Sequence, residues 1–185
     1  MKDSLLLLSH FIKKPREVGA VAPSSRFLTN EILKGIDFKN SKNIVELGPG
    51  LGTFTKAILR KSSPKTRLFC FEINKKFCDH LERNIIDERL TIINSGAEKI
   101  SKNIKKFKIE NADCIISGLP FLNFSDSKKR KILQEIRCSL DNQGKFVLFQ
   151  YTNGLGKLLK NYFAKVEKRF VPFNIPPAFV YICGK

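Results

Sequence analysis

At 185 residues, 42% of them hydrophobic and 28% charged, the chain is the size of one domain and can bury a sizeable core. Its five cysteines (Cys70, Cys78, Cys114, Cys138 and Cys183) form no CxxC pair and have no histidine at metal-ligand spacing. That leaves no disulfide framework, indicates no metal site and points to a reducing compartment. The formal net charge of +17, from 34 Lys and Arg against 17 Asp and Glu, implies a polyanionic partner, either nucleic acid or an anionic membrane surface. The bland alternative is a general lysine bias.

No run of 18 apolar residues exists, so no membrane-spanning segment is expected. Leu5 to Leu8 followed by Ala20-Val21-Ala22 mimics a secretory leader, but Ser9 and His10 end the apolar run. Lys13, Lys14, Pro15, Arg16 and Glu17 then separate it from the supposed cleavage site. The expected location is cytoplasmic. Leu5 to Leu8, Phe11 and Ile12, with Lys2, Lys13, Lys14 and Arg16, suit a short helix with an apolar side and a basic end. Residues 1–35 are therefore read as an N-terminal helical extension, and residues 36–185 as the main domain. The extension is either a membrane-interface helix or a lid over the site, and the two roles are compatible.

From residue 43 onward, apolar runs rich in β-branched and aromatic residues alternate with stretches of helical period, the signature of βαβ units on a parallel sheet. The spacing predicts strands at Asn43 to Leu47, Thr66 to Phe71, Leu90 to Asn94, Asp113 to Ser117 and Lys145 to Gln150. Helices are predicted at Thr53 to Lys61, Lys75 to Asn84 and Ser127 to Leu140. After Gln150 helical spacing vanishes, and two further strand-like runs follow, Val166 to Val171 and Phe179 to Cys183.

Glu46-Leu47-Gly48-Pro49-Gly50-Leu51-Gly52-Thr53 follows a strand and opens a helix. Glycines there let the backbone turn tightly and approach a ligand. The spacing is GxGxG with an acid two positions ahead, whereas a dinucleotide site wants GxGxxG with pyrophosphate on the helix N-terminus. Glu72 stands 20 residues after Gly52 at the end of the second strand, where one carboxylate can accept hydrogen bonds from both hydroxyls of a ribose. A ligand with a ribose and an amino-acid moiety but no phosphate fits this pair better than NAD.

These residues resemble the first motif of the class I methyltransferases, E/DxGxGxG. The resemblance implies S-adenosylmethionine as cofactor, bound by Glu46, Gly48, Gly50 and Glu72. It also implies a Rossmann-like α/β fold: a seven-stranded, mostly parallel sheet with helices on both faces and a terminal hairpin-like pair. Asn94-Ser95-Gly96-Ala97-Glu98 stands where the family has Gly-Asp-Ala against adenine. Gly96 departs from the acid, leaving the backbone N–H of Ala97 or the carboxylate of Glu98 to serve, or a plain turn.

Two acceptors are then weighed. Glu46 to Thr53 and Gly118-Leu119-Pro120-Phe121 resemble the ribosomal RNA adenine dimethyltransferases, whose Asn-Leu-Pro-Tyr holds a flipped adenine. Here Gly118 replaces the Asn, and the sequence stops at 185 residues without the helical C-terminal domain of those enzymes. A closer resemblance is to the bacterial phospholipid N-methyltransferases. It is carried by Lys14 to Leu28, Ser117 to Phe124, Gln150-Tyr151-Thr152 and Asn174 to Ala178. The ornithine-lipid methyltransferases share much of this pattern.

That resemblance implies methyl transfer to the amine headgroup of a membrane lipid, phosphatidylethanolamine or a related aminolipid. The enzyme would then work peripherally on the inner face of the membrane, with an anionic membrane surface and a lipid substrate as partners. RNA or small-molecule methylation, or SAM-fold binding without catalysis, are the alternatives. Transfer needs a neutral amine held in line with the methyl group. Carbonyls near Ser117 and Gly118, or the hydroxyl of Tyr151, are the candidate amine-holding groups, since no strong general base stands out.

Leu119, Pro120, Phe121 and Phe124 are read as the substrate side. Phe121, Phe124 and Tyr151 are suited to cation–π contacts of roughly 0.5–2 kcal/mol each, with core packing as the alternative for every ring. Lys99, Lys102, Lys105, Lys106 and Lys108, and the basic run 128–131, either attract polyanions or form solvated helix faces. His10 and His80 sit in no motif and receive no role.

Overall fold

The computed structural model describes residues 25–185, so the amphipathic segment of residues 2–16 and the rest of residues 1–24 lie outside the described residues. Helix α1 (Arg26–Leu33) opens the described chain, with Ser25 Oγ accepting from Leu28 N at 3.2 Å as its N-cap. Strand β1 (Asn43–Leu47), helix α2 (Thr53–Lys61), strand β2 (Arg67–Phe71), helix α3 (Lys75–Asn84) and strand β3 (Leu90–Ile93) follow. Next come the one-turn helix α4 (Ile100–Ile104), strand β4 (Ala112–Ser117), helix α5 (Asp126–Ser139) and strand β5 (Leu140–Gln150). Helix α6 (Gly156–Lys160) and strands β6 (Lys165–Val171) and β7 (Ala178–Gly184) complete the chain.

The strands form one sheet in the order β3-β2-β1-β4-β5-β7-β6. Strand β7 is antiparallel to both its neighbours, β5 and β6, and the other pairs are parallel. This is the seven-stranded, mostly parallel sheet the sequence predicts. Parallel strands covered on both faces read as continuous apolar runs, which is why β1, β2 and β4 are legible without alternation. On one face Val45, Leu47, Phe71, Ile115, Phe146, Leu148 and Tyr181 pack with Leu133 and Ile136 of α5 and Leu159 of α6. On the other, Ile44, Leu68, Cys70, Ile116, Val147 and Val180 pack with Leu28 and Ile32 of α1 and Ile58 of α2. Helix α1 therefore shares the core of the sheet it precedes.

Helix α4 is not among the predicted helices, and two further features differ from the sequence reading. Helical structure does not vanish after β5: α6 is five residues long with only Leu159 buried, too short to show a period. Strand β5 begins at Leu140 rather than Lys145. The pairing with β4 shifts register between Ala112 opposite Leu140 and Cys114 opposite Lys145, so residues 141–144 carry no apolar pattern.

Candidate active site

Because β1, β2, β4 and β5 run parallel, the loops leaving their C-terminal ends gather on one edge of the sheet. The strand order turns back between β1 and β4, and ligands of such sheets sit in the crevice at that switch point. The loop after β1 and the loop after β4 face each other there. Gly118 N donates to Leu47 O at 2.9 Å, and Gly48 N donates to Phe71 O at 2.9 Å. Gly48 has φ 71°, and a methyl group on it would lie 3.0 Å from Leu119 Cδ2. A methyl group on Gly118 would lie 3.0 Å from the Gly48 carbonyl. Glycine on both sides is what lets the two loops close to this distance.

Gly52 caps α2 with φ 81°, and a side chain there would meet Leu81 and Ile85 at 2.7 Å, so this glycine seats the helix against α3. Gly50, with φ 56°, meets nothing within 4 Å in its side-chain direction, which leaves open space over that turn.

Glu46 is the exception in an apolar strand. It is 1% exposed and lies opposite Cys70 and Ile116. Its Oε2 accepts from Thr55 Oγ1 at 2.7 Å and from Cys70 Sγ at 3.3 Å, while Oε1 is buried with no partner. A buried carboxyl half-satisfied by neutral donors costs folding energy, so packing alone does not account for it. Burial pushes its pKa up to about 7, with the nearby Glu72 adding to the rise against the two hydrogen bonds.

The folded carboxyl thus keeps a proton that the unfolded chain releases near 4.5. Folding becomes less favourable as pH rises from about 4.5 to 7, by about 3 kcal/mol in all, and the loss levels off above that window. Glu46→Gln is expected to remove this slope. Urea unfolding of the cofactor-free protein at pH 5 and pH 7.5 checks it, and parallel pH profiles for both proteins would count against it.

Glu72 directly follows β2 and is 8% exposed. Asn74 N donates to its Oε1 at 2.9 Å and Gly50 N to its Oε2 at 3.4 Å, so the carboxylate also braces the glycine loop. Burial raises its pKa, offset by those backbone donors. Each oxygen keeps a lone pair for a further donor, as two ribose hydroxyls require. Ile73 beside it is 67% exposed and Leu51 is 56% exposed, two apolar side chains at the mouth that sequence reasoning passed over. Their signal was available: an apolar residue directly after a strand-terminal acid has no core to enter.

Asn94 Nδ2 donates to Glu72 O at 2.8 Å, tying the end of β3 to the same corner. Ala97 is buried at the start of the following turn. A side chain on Gly96 would collide with the carboxylate of Glu98, which folds back over that glycine.

Ser117 is fully buried and its Oγ accepts from Leu119 N at 3.1 Å, so its hydroxyl shapes the turn and does not open to the crevice. Gln150 Nε2 donates to Leu119 O at 2.9 Å and holds the same loop from β5. Pro120 is exposed and Leu119 half-buried. Phe121 departs from the expected substrate side: its ring is fully buried against Phe124 and Phe146, because the turn of residues 121–123 folds it under the loop. Phe124 is half-buried, and one face lies 4.4 Å from Lys128 Nζ, so the protein's own cation holds it.

The aromatic ring that does approach the crevice is Phe149, whose edge is 3.9 Å from the side-chain position of Gly118. It packs edge-on against Phe54 at 5.7 Å and against Tyr151 at 5.6 Å. Tyr151 is 51% exposed, and burial raises its phenol pKa, so it stays protonated at neutral pH. Sequence reading missed Phe149 because inside a strand it looks like core.

A model of the ribosomal RNA adenine dimethylase family matches residues 24–152. The chain belongs to that family. It is an S-adenosylmethionine-dependent methyltransferase, and the resemblance read from Glu46 to Thr53 is borne out. Along 99% of this chain and 96% of the relative, it is 28% identical to the ornithine lipid N-methyltransferase of Singulisphaera acidiphila. It is 28% identical to the ribosomal RNA small subunit methyltransferase A of Mesomycoplasma hyopneumoniae, over 79% of this chain and 56% of that protein. For the same enzyme of Borreliella burgdorferi the figures are 30%, 67% and 45%. The chain thus spans about half the length of these ribosomal RNA relatives.

Among solved structures, the 1,6-didemethyltoxoflavin-N1-methyltransferase of Burkholderia thailandensis, with 1,6-didemethyltoxoflavin and S-adenosylhomocysteine bound, superposes with a TM-score of 0.72 at 14% identity. It covers 100% of this chain and 89% of that one. A methyltransferase from Geobacter sulfurreducens gives 0.66 at 13%, covering 98% and 89%. At these identities the likeness shows the fold. The residues present suit the cofactor: an unpartnered buried carboxylate oxygen on Glu46, open space over Gly50, and an acid with spare acceptor capacity on Glu72.

Proposed function

We propose that this enzyme methylates the amine headgroup of a membrane aminolipid, phosphatidylethanolamine or an ornithine lipid. The observation that carries the reading is Gly118. At the head of the loop facing the glycine turn, it offers no side-chain amide to hold an adenine amino group, and the Gly48 carbonyl lies 3.0 Å from where one would begin. The full-length similarity to a lipid enzyme and the net charge of +17 support the same acceptor.

In this reading Glu72 holds the cofactor ribose, Glu46 and the glycine turn face its amino-acid part, and Ile73 and Ala97 flank the adenine. Bound there, the cofactor supplies a methyl group on sulfonium sulfur, open to in-line attack by an amine lone pair. The protein's own task is alignment and exclusion of water. The protonated Tyr151 phenol offers its oxygen to an amine N–H, and Phe149 with Tyr151 presents ring surface to the methylated cation formed. Ser117 and Gln150 are positioning residues that set the loop from Gly118 to Leu119.

Among the described residues no helix is long and apolar enough to cross a membrane. In this reading access to lipid is peripheral, from the inner face, with the basic and apolar stretch of residues 2–16 as the contact, since α1 belongs to the core.

Labelled S-adenosylmethionine offered with phosphatidylethanolamine vesicles, ornithine-lipid vesicles or total RNA tests the reading. Label is expected in an extracted lipid, and label in RNA alone would overturn it. RNA is the second reading, favoured by the match to the ribosomal RNA adenine dimethylase family.

A further inference from the structure

Beside the acceptor loop lies a second concavity, of about 380 Å³, lined by Asn153, Gly154, Gly156, Lys157, Lys160, Val166, Lys168 and Tyr181. Three lysines, all exposed to solvent, line it, and no Asp or Glu does. Among the described residues none of the three lysines forms an ion pair. Lys168 Nζ donates to Asn153 Oδ1 at 3.1 Å and lies 5.6 Å from the Phe179 ring centroid, so its charge meets only neutral partners. The Tyr181 hydroxyl donates to the same Asn153 oxygen at 3.4 Å. Two donors thus occupy the Asn153 side-chain oxygen, and the charged side chains of the lining are all cationic.

The pocket is joined to the acceptor loop. A methyl group on Gly154 would lie 3.3 Å from Leu122 Cδ2, and Gln150 at the head of the same segment holds the Leu119 carbonyl at 2.9 Å. Tyr151 and Asn153 are two residues apart, which limits their Cα separation to about 7 Å.

We propose that this pocket binds the acidic group of the acceptor, a phosphodiester or a carboxylate, while the amine reaches Gly118 and Tyr151. The assignment rests on the lipid reading above. A concavity lined by three lysines and no acidic residue carries one sign of charge and attracts an anion. An aminolipid headgroup carries its amine and its acid a few bonds apart, matching neighbouring sites on one loop.

The test is calorimetric, on the full chain loaded with S-adenosylhomocysteine. The probes are dihexanoylphosphatidylethanolamine below its micelle concentration, a short-chain ornithine lipid and a twelve-nucleotide RNA. For Lys157→Ala/Lys168→Ala, affinity for a lipid probe is expected to fall tenfold or more while that for S-adenosylhomocysteine is unchanged. The Lys157→Arg/Lys168→Arg variant is expected to retain binding. A loss with the phosphatidylethanolamine probe alone assigns the pocket to a phosphodiester, and a loss with the ornithine lipid alone to a carboxylate. Unchanged lipid affinity overturns the proposal, as does a loss confined to RNA. Failure of the lipid-methylation reading would show separately, as wild-type enzyme that leaves every lipid unlabelled.

Discussion

Glu72→Ala is expected to lower affinity for S-adenosylmethionine by about 100-fold or more. The carboxylate has two tasks that alanine cannot take over. It would accept both ribose hydroxyls, and hydrogen bonds to a charged group contribute about 1.5–3 kcal/mol each. It also accepts from Gly50 N at 3.4 Å and Asn74 N at 2.9 Å, which sets the glycine turn opposite the crevice. Gly50→Ala separates the two tasks. Nothing lies within 4 Å of its side-chain direction, but φ 56° is a left-handed conformation costing a β-carbon about 1–2 kcal/mol. It should weaken cofactor binding by strain and by occupying the open space, with Glu72 still in place. Isothermal titration with S-adenosylmethionine reads both, and undiminished affinity in Glu72→Ala would place the cofactor elsewhere.

The second large effect is expected at Gly118. Gly118→Asn restores the side chain typical of adenine-methylating relatives, but its β-carbon would begin 3.0 Å from the Gly48 carbonyl and 3.9 Å from the Phe149 ring. The loop must shift by tenths of an ångström and the amine site fills with an amide. A misplacement of about 1 Å costs on the order of 100-fold in rate, and here the amide filling the amine site displaces the acceptor by more than the loop shift alone. The expected result is a fall of about 100-fold in kcat/KM for lipid, with cofactor affinity within about threefold of wild type, because the change lies outside the ribose and adenine contacts. Equal rates on lipid in wild type and variant would remove Gly118 from the specificity argument. RNA methylation already present in wild type and enhanced in the variant would shift it toward the RNA reading.

Phe121 and Phe149 show where reading the chain in one dimension stops. Both are aromatic and both stand near the C-terminal end of a strand. Phe121 is in a motif-like segment and Phe149 inside a strand, so the first looked functional and the second structural. The turn of residues 121–123 puts Phe121 under the loop, whereas the pairing of β4 with β5 brings Phe149 beside Gly118. Which face of a loop a ring takes depends on the backbone turn, and that signal is weaker in sequence than strand period.

Lys157, Lys160 and Lys168 went unread for a related reason. They lie on α6 and β6, and only the return of the chain over the sheet brings them around one cavity.

Legible in the sequence were the sheet, the three longest helices and the cofactor. Apolar runs at parallel-strand spacing, a GxGxG turn and two acids at strand ends are local features, each forced by backbone geometry or by the chemistry of one ligand. The tertiary structure alone decided what surrounds those acids and that the glycine of the β4 loop faces the glycine of the β1 loop. It alone decided which aromatic reaches the crevice and where uncompensated charge collects. Those are relations between segments as far apart as Gly48 and Gly118 or Asn153 and Tyr181, and such relations exist only after the strands have found their order.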